Sequence, residues 1–158
     1  MVGFFFDMDG TIADLYSVDG WLESLRSSDP TPYAEAMPMG NMEALRSRID
    51  AIRAQGDIVG VISWCSKCGS PDYNRATRAA KIAWLDAQGL TFDEINVVRY
   101  GRDKYNCRKA TNLDKYVLFD DEDTNIDNWN KHKDTMGVLV QGFEDILRVL
   151  DEHLNDSH

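Results

Sequence analysis

The chain has 158 residues, of which 43% are hydrophobic, and this length suits one compact domain spanning 1–158. Its 17 basic and 27 acidic residues give a net charge of −10, which argues against a nucleic-acid or membrane-surface partner. No apolar run approaches the ~20 residues of a membrane span, and the opening residues lack the basic start of a signal peptide. The odd number of cysteines, three, indicates ordinary thiols and a cytoplasmic location.

Five short apolar runs, each ending at a polar or small residue, predict buried β-strands at 2–6, 58–62, 95–100, 116–119 and 137–140. Capping signals and apolar residues at three- and four-residue spacing predict four helices between and after these strands. The helices are a short one at 21–26, one from Met42 that Gly56 closes, one capped by Ser70 that ends at Gly89, and one from Phe143 to Leu154. An alanine-rich stripe, Ala76, Ala79, Ala80, Ala83 and Ala87 with Trp84, is predicted to be the apolar face of the third helix.

Strands that alternate with helices predict an α/β domain of three layers. We expect a Rossmann-like arrangement with a mainly parallel five-stranded sheet flanked by helices. Ligands of such sheets collect at the carboxyl ends of the strands. Those ends fall at Asp7, Ser63, Gly101 and Asp120, and all but Gly101 carry polar side chains.

Two carboxylates follow the first predicted strand directly. Alternation along an extended segment puts Asp7 and Asp9 on the same side, where they repel each other unless a cation lies between them. Oxygen ligands of this kind suit Mg²⁺, and Asp120 and Asp121 can complete the site from another strand end. Gly10 would let the backbone turn tightly and present amide groups to a phosphate.

Polar groups at two other strand ends suit a phosphate ligand. The Ser63 hydroxyl can donate a hydrogen bond to a phosphate oxygen, and Lys104, beyond the third strand, can neutralise a transferring group. Acidic groups, a lysine, a hydroxyl and a magnesium ion together indicate phosphoryl transfer, in which positioning and charge neutralisation do most of the catalysis.

Four segments resemble the motifs of the haloacid dehalogenase (HAD) superfamily, and they occur in that family's order. FFFDMDGTIADL holds a DxDGT sequence, VGVISW ends an apolar strand near Ser63, and a lysine follows downstream. VLFDDEDTN matches the fourth motif with Asp120, Asp121 and Asn125. Some 5′-nucleotidase-like members share this form of the fourth motif, so the resemblance extends to them.

The resemblance implies roles for these residues. Asp7 would be the nucleophile that forms an aspartyl-phosphate, and Asp9 would be the general acid and base. The second aspartate is typical of the phosphatases of this family and not of its dehalogenases. Mg²⁺ would bind the Asp7 carboxylate, the Asp9 backbone carbonyl and Asp121, with Asp120 as a direct or water-bridged ligand.

The third motif is the least distinct, because the family's lysine is often followed by proline and no such pair occurs in this sequence. We assign the phosphate-binding lysine to Lys104, with Lys109 as the alternative. Ser63 would bind the phosphate together with this lysine.

The segment 12–40 is too short for the full helical cap that many family members carry. We expect a small flap or mini-cap, with Trp21, Met37 and Met39 facing the pocket. A site with so small a cap could accept large substrates or close by oligomerisation, and the sequence leaves the oligomeric state open.

The sequence therefore predicts a Mg²⁺-dependent phosphomonoester hydrolase acting on a small phosphorylated substrate. A nucleoside monophosphate is the first candidate, with Trp64 and Trp21 stacking on its base. One alternative is a phosphatase of a macromolecule, such as a nucleic-acid 3′-phosphate or a phosphopeptide. Another is a non-catalytic module that binds phosphate or a protein partner. Cys65 and Cys68 form a CxxC pair, which we interpret as ordinary thiols and not as a redox or zinc site.

Overall fold

The computed structural model describes residues 1–156, and the last two residues of the predicted domain lie outside this range. Seven strands are formed within it: β1 (Val2–Phe6), β2 (Ala13–Asp14), β3 (Met37–Pro38), β4 (Ile58–Trp64), β5 (Glu94–Val98), β6 (Lys115–Asp120) and β7 (Thr135–Leu139). The same residues form six α-helices: α1 (Trp21–Arg26), α2 (Thr31–Glu35), α3 (Met42–Ala54), α4 (Pro71–Ala87), α5 (Asp123–Asn130) and α6 (Phe143–Asp156).

Five of the strands form one parallel sheet in the order β5-β4-β1-β6-β7. β1 is central, and its Phe5 pairs with Gly60 of β4 on one side and Leu118 of β6 on the other. Burial on both sides explains why β1 is an uninterrupted apolar run. The predicted α/β fold with a parallel five-stranded sheet is confirmed.

Alternate residues of β1 pack into two separate apolar clusters, one on each face of the sheet. Phe4 and Phe6 join the larger cluster, to which α3, α4 and α6 contribute. Phe5 joins the smaller cluster, where Trp129 of α5 is fully buried. Helices therefore cover both faces and give the three predicted layers.

The segment 12–40 contains β2, a 3₁₀ turn (Leu15–Ser17), α1, α2 and β3. The two short strands pair antiparallel at the base of the segment, where Ala13 lies opposite Pro38. Leu15 and Tyr33 pack on Tyr73 of α4, so the segment rests on that helix. The sequence predicted α1, but it predicted neither α2 nor the β2–β3 pair, because elements of two to five residues leave no periodic pattern.

Helix α4 is formed as predicted, with Ser70 as N-cap and Pro71 as first residue, but its buried face is different. The buried residues are Tyr73, Thr77, Lys81, Trp84 and Leu85. Ala79, Ala83 and Ala87 of the predicted apolar face are exposed. The larger side chains, spaced four residues apart, face the sheet and the 12–40 segment, because they bury more area than alanine. Within residues 1–156, no helix has both the length and the apolar character that a membrane crossing requires.

Candidate active site

Polar side chains from three parallel strands meet at the carboxyl edge of the sheet. The hydrogen-bonded ladder continues one residue beyond β1, because the Asp7 amide donates to the Phe119 carbonyl of β6 at 2.9 Å. This register sets Asp7 beside the end of β6, where Asp120 and Asp121 follow. The other predicted residues near this edge are Asp9, Ser63, Trp64 and Lys104.

Asp7, Asp120 and Asp121 form an acidic cluster in which carboxylate oxygens all lie within 4.8 Å of one another. Burial and repulsion by Asp7 raise the pKa of both Asp120 and Asp121. A divalent cation would relieve this repulsion, and the all-oxygen donor set fits Mg²⁺. The Asp9 carboxylate is outside the cluster and binds Lys81, so the metal contact predicted for Asp9 is that of its backbone carbonyl.

Lys104 contacts two members of the cluster and is 4% exposed. Its Nζ donates to Asp7 Oδ1 at 2.9 Å and to Asp120 Oδ2 at 2.7 Å. Burial alone would lower the pKa of Lys104, but the two carboxylates more than offset this, and the pKa is raised. The alternative, Lys109, is exposed and donates its backbone N–H to Glu94. The structure therefore brings Lys104, and not Lys109, to the site.

Asp120 and Asp121 differ in how many donors they already bind. Asp120 is fully buried and also accepts hydrogen bonds from the Asn125 side chain at 3.1 Å and the Glu122 amide at 3.0 Å. Asp121 accepts from the Thr11 hydroxyl at 3.3 Å, and that hydroxyl lies 3.0 Å from Asp7. Asp121 is thus the freer of the two to bind a metal directly.

A second buried lysine, which the sequence analysis missed, lies beneath Asp9. Lys81 of α4 is fully buried, and its Nζ donates to Asp9 Oδ2 at 2.8 Å, to Ser63 Oγ at 2.7 Å and to the Trp64 carbonyl at 2.9 Å. Burial raises the pKa of Asp9, and the charge of Lys81 opposes this rise. Three strong contacts fix both the lysine and the Asp9 carboxylate in place.

Two predicted phosphate contacts take a different form. Ser63 is 1% exposed and does not line the cavity, and its hydroxyl oxygen accepts a hydrogen bond from Lys81 Nζ. The Gly10 amide donates to the Ala13 carbonyl at 2.8 Å, so it is not free for a phosphate. Gly10 instead makes the turn possible: its φ is +82°, and a Cβ atom there would collide with the Asp121 carboxylate.

A cavity of about 260 Å³ opens above these side chains. The 12–40 segment supplies an apolar wall that includes Trp21 and Tyr33. Trp64 and Tyr100, whose ring centroids are 5.0 Å apart, line it from the strand ends. Trp21 thus faces the cavity as predicted, but Met37 is 70% exposed and Met39 packs on the main core, so neither lines it.

The cysteines of the CxxC pair form no disulfide. Cys65 is buried and Cys68 is exposed, and both are free thiols, as is Cys107. Burial raises the pKa of Cys65, which keeps this thiol protonated beside the cavity. Because the thiolate is the reactive form, a protonated and buried Cys65 is expected to be unreactive.

Comparison with solved structures identifies the fold. Over 98% of both chains, the structure superposes on a protein from Burkholderia xenovorans LB400 described as a haloacid dehalogenase-like hydrolase, with a TM-score of 0.54 and 12% identity. It also superposes on D,D-heptose 1,7-bisphosphate phosphatase from Burkholderia thailandensis, over 94% of this chain and 97% of that one, with a TM-score of 0.52 and 11% identity. The chain has a HAD-like fold. No protein family model matches the sequence, and no curated protein matches it.

Proposed function

We propose that this chain is a Mg²⁺-dependent phosphomonoester hydrolase that works through an aspartyl-phosphate. The observation that carries the proposal is Lys104, held between Asp7 and Asp120 at the floor of the cavity. A buried cation beside a potential nucleophile suits the transfer of an anionic group. The HAD-like fold and the motif order support the same activity.

The metal would be held by Asp7, Asp121 and the Asp9 backbone carbonyl, with Asp120 oriented by Lys104 and Asn125. Bound there, Mg²⁺ would supply positive charge to the phosphoryl oxygens. Lys104 supplies a further positive charge at Asp7 Oδ1. The amides of Met8 and Asp9 have no hydrogen-bond partner among residues 1–156 and are therefore available to phosphate oxygens.

In the first step, a carboxylate oxygen of Asp7 attacks phosphorus and the bond to the leaving oxygen breaks. The proton of Asp9 passes to that oxygen, so the alcohol leaves neutral. In the second step, Asp9 takes a proton from water, which attacks phosphorus and releases inorganic phosphate with the Asp7 carboxylate restored. Burial raises the pKa of Asp9, which favours the protonated form that the first step needs.

Lys81 holds Asp9 for both steps. It donates to one carboxylate oxygen, Oδ2, and leaves the other oxygen free to carry the transferred proton. Ser63 and the Trp64 carbonyl fix the ammonium group from the opposite side. Ser63 thus acts through Lys81.

The 12–40 segment acts as a mini-cap in this proposal, because its side chains wall the cavity. A volume of about 260 Å³ suits a small phosphorylated substrate better than a folded macromolecule. The aromatic side chains of Trp21, Trp64 and Tyr100 favour a flat ring, so a nucleoside monophosphate remains the first candidate. The free thiols support a cytoplasmic location.

Phosphate release from a panel of phosphomonoesters, nucleotides included, tests this proposal. Release should require Mg²⁺, stop with chelator and disappear in Asp7→Asn. Asp127→Asn, on the exposed side of α5, is the matched control and should behave like the wild type. Release that continues in Asp7→Asn would contradict the proposed nucleophile. No release from any ester would favour the non-catalytic alternative.

A further inference from the structure

A basic groove adjoins the cavity. We use this name for two neighbouring clefts, of about 630 and 280 Å³, that share Asn74, Arg99 and Arg102 in their linings. Their cationic side chains are Lys67, Arg75, Arg78, Arg99 and Arg102. Neither lining includes an aspartate or glutamate, although acidic residues outnumber basic ones by 27 to 17 in the chain.

Three segments build the groove because β4 and β5 run parallel and end together. Trp64 pairs with Val98, so the chain leaving each strand emerges at the same edge. Lys67 lies in the loop after β4, Arg78 lies on α4, and Arg99 and Arg102 lie in the turn after β5. The Trp64 indole donates to the Arg102 carbonyl at 3.0 Å and ties this turn to the active-site edge.

Four of these cations are not neutralised by the protein. Arg75 forms an ion pair with Asp72, but Lys67, Arg78, Arg99 and Arg102 form none with any carboxylate of residues 1–156. Like charges that line one groove repel each other, and an anion between them would relieve the repulsion. Guanidinium groups suit phosphate in particular, because they donate two parallel hydrogen bonds to its oxygens.

The groove adjoins the active-site cavity. Lys67, Ser66 and Tyr100 line both the larger cleft and the cavity above Asp7. A ligand with one phosphate at Asp7 would therefore reach the cationic part by passing over these shared residues. The chain as a whole carries a net charge of −10, which favours a small ligand over a long polyanion.

We propose that the basic groove binds a second phosphate group of a small bisphosphorylated substrate. The reacting phosphate lies at Asp7, and the second one lies among Arg78, Arg99 and Arg102. This inference rests on the proposed function for its reaction, but the groove's binding of phosphate can be measured without turnover.

Paired substrates test the proposal. Hydrolysis of adenosine 3′,5′-bisphosphate is compared with that of adenosine 5′-monophosphate, and fructose 1,6-bisphosphate with fructose 6-phosphate. We expect kcat/KM to be at least about tenfold higher for the bisphosphates, a difference of about 1.4 kcal/mol. The double variant Arg99→Gln/Arg102→Gln should lose this preference. The control Arg46→Gln/Lys133→Gln removes two exposed charges outside the groove and should keep it.

Calorimetric titration of Asp7→Asn with the same nucleotide pair separates this inference from the proposed function. We expect the bisphosphate to bind at least about tenfold more tightly than the monophosphate, and we expect Arg99→Gln/Arg102→Gln to remove this difference. This result would support phosphate binding in the groove even if the protein shows no turnover. Equal affinity for the bisphosphate and the monophosphate would contradict the proposal that the groove binds a second phosphate. So would a preference for the bisphosphate that persists in the double variant. Neither result would contradict the proposed phosphatase activity. Preference for a 3′-phosphorylated oligonucleotide over both bisphosphates would overturn the assignment to a small substrate.

Discussion

Lys81 Nζ lies 2.8 Å from Asp9 Oδ2, and this ion pair links helix α4 to the first strand end of the active site. The lysine is fully buried, whereas the Asp9 side chain keeps 18% of its surface exposed toward the cavity. The pair also contacts the mini-cap, because Lys81 Nζ lies 4.9 Å from the centre of the Tyr33 ring. One ammonium group therefore contacts the proposed general acid Asp9, the hydroxyl of Ser63 and the Tyr33 ring of the cavity wall.

Lys81→Met should lower kcat by roughly 10²-fold, within the range for lost general acid–base help. It should also move the pH profile. The charge of Lys81 lowers the pKa of Asp9 against the effect of burial, so its loss raises that pKa further. We expect the limb of the profile that reports Asp9 to shift to higher pH, with Lys133→Met as an exposed control. A lowered rate with an unmoved profile would mean that Lys81 has only a structural role.

Lys104→Ala should abolish most activity, because it removes the cation that bonds both Asp7 and Asp120. The loss should be at least 10²-fold in kcat, as for removal of a group that stabilises transition-state charge. Lys109→Ala is the matched variant, five residues away and exposed, and should retain wild-type rates. Loss of activity in Lys109→Ala with normal rates in Lys104→Ala would instead place the third motif at Lys109.

Asp121→Asn should stabilise the metal-free protein, and the gain should grow with pH. Burial and the charge of Asp7 raise the pKa of Asp121 in the folded state. The folded protein then binds more protons than the unfolded chain, so the free energy of unfolding falls as pH rises above about 4. The amide in Asp121→Asn does not titrate, so the free energy of unfolding of the variant does not fall in this way. Each kcal/mol of unfolding free energy gained over the wild type should raise Tm by about 2–4 °C.

Thermal unfolding at pH 5 and pH 8, with and without Mg²⁺, checks this prediction. Mg²⁺ should raise the Tm of the wild type at pH 8 and have a much smaller effect on Asp121→Asn. A Tm difference between the two proteins that is the same at both pH values would refute the assigned cause.

Trp21→Ala should raise KM for a nucleoside monophosphate by about tenfold, the size of one lost aromatic contact. The same change should have little effect on kcat, because the ring makes no hydrogen bond to the reacting carboxylates within residues 1–156. Leu22→Ala, at the neighbouring exposed position, is the control. Unchanged KM for every substrate would exclude Trp21 from the binding surface.

The sequence was sufficient to predict the sheet and the acidic cluster. Apolar runs that end in Asp7 and Asp120 are strong local signals, and parallel strands bring their carboxyl ends together wherever the helices pack. The observed strand ends differ from the predicted ones by only one or two residues, as at β7. They differ because the last residue pairs of a strand depend on the neighbouring strand. Lys104 was also predictable, since it follows β5 at the correct edge.

Lys81 and the basic groove could not be predicted in the same way. A lysine in the middle of a helix is normally exposed, and only its four-residue spacing from Thr77 and Tyr73 indicates the buried face. The groove combines the loop after β4 and helix α4 with the turn after β5, which is more distant in sequence. A net charge of −10 for the whole chain gives no sign of a local excess of cations. Both features depend mainly on tertiary contacts, which local sequence patterns record only weakly.

The most direct test of the account is to detect a phosphoryl group on Asp7. Asp9→Asn should allow p-nitrophenyl phosphate to react, because its leaving group needs little protonation, and should slow hydrolysis of the intermediate. Rapid acid quench followed by peptide mass spectrometry should then find one phosphoryl group on the segment 2–10, at Asp7. Stoichiometric release of p-nitrophenolate and phosphate with no phosphoryl group on the chain, or with the group on another residue, would contradict the account.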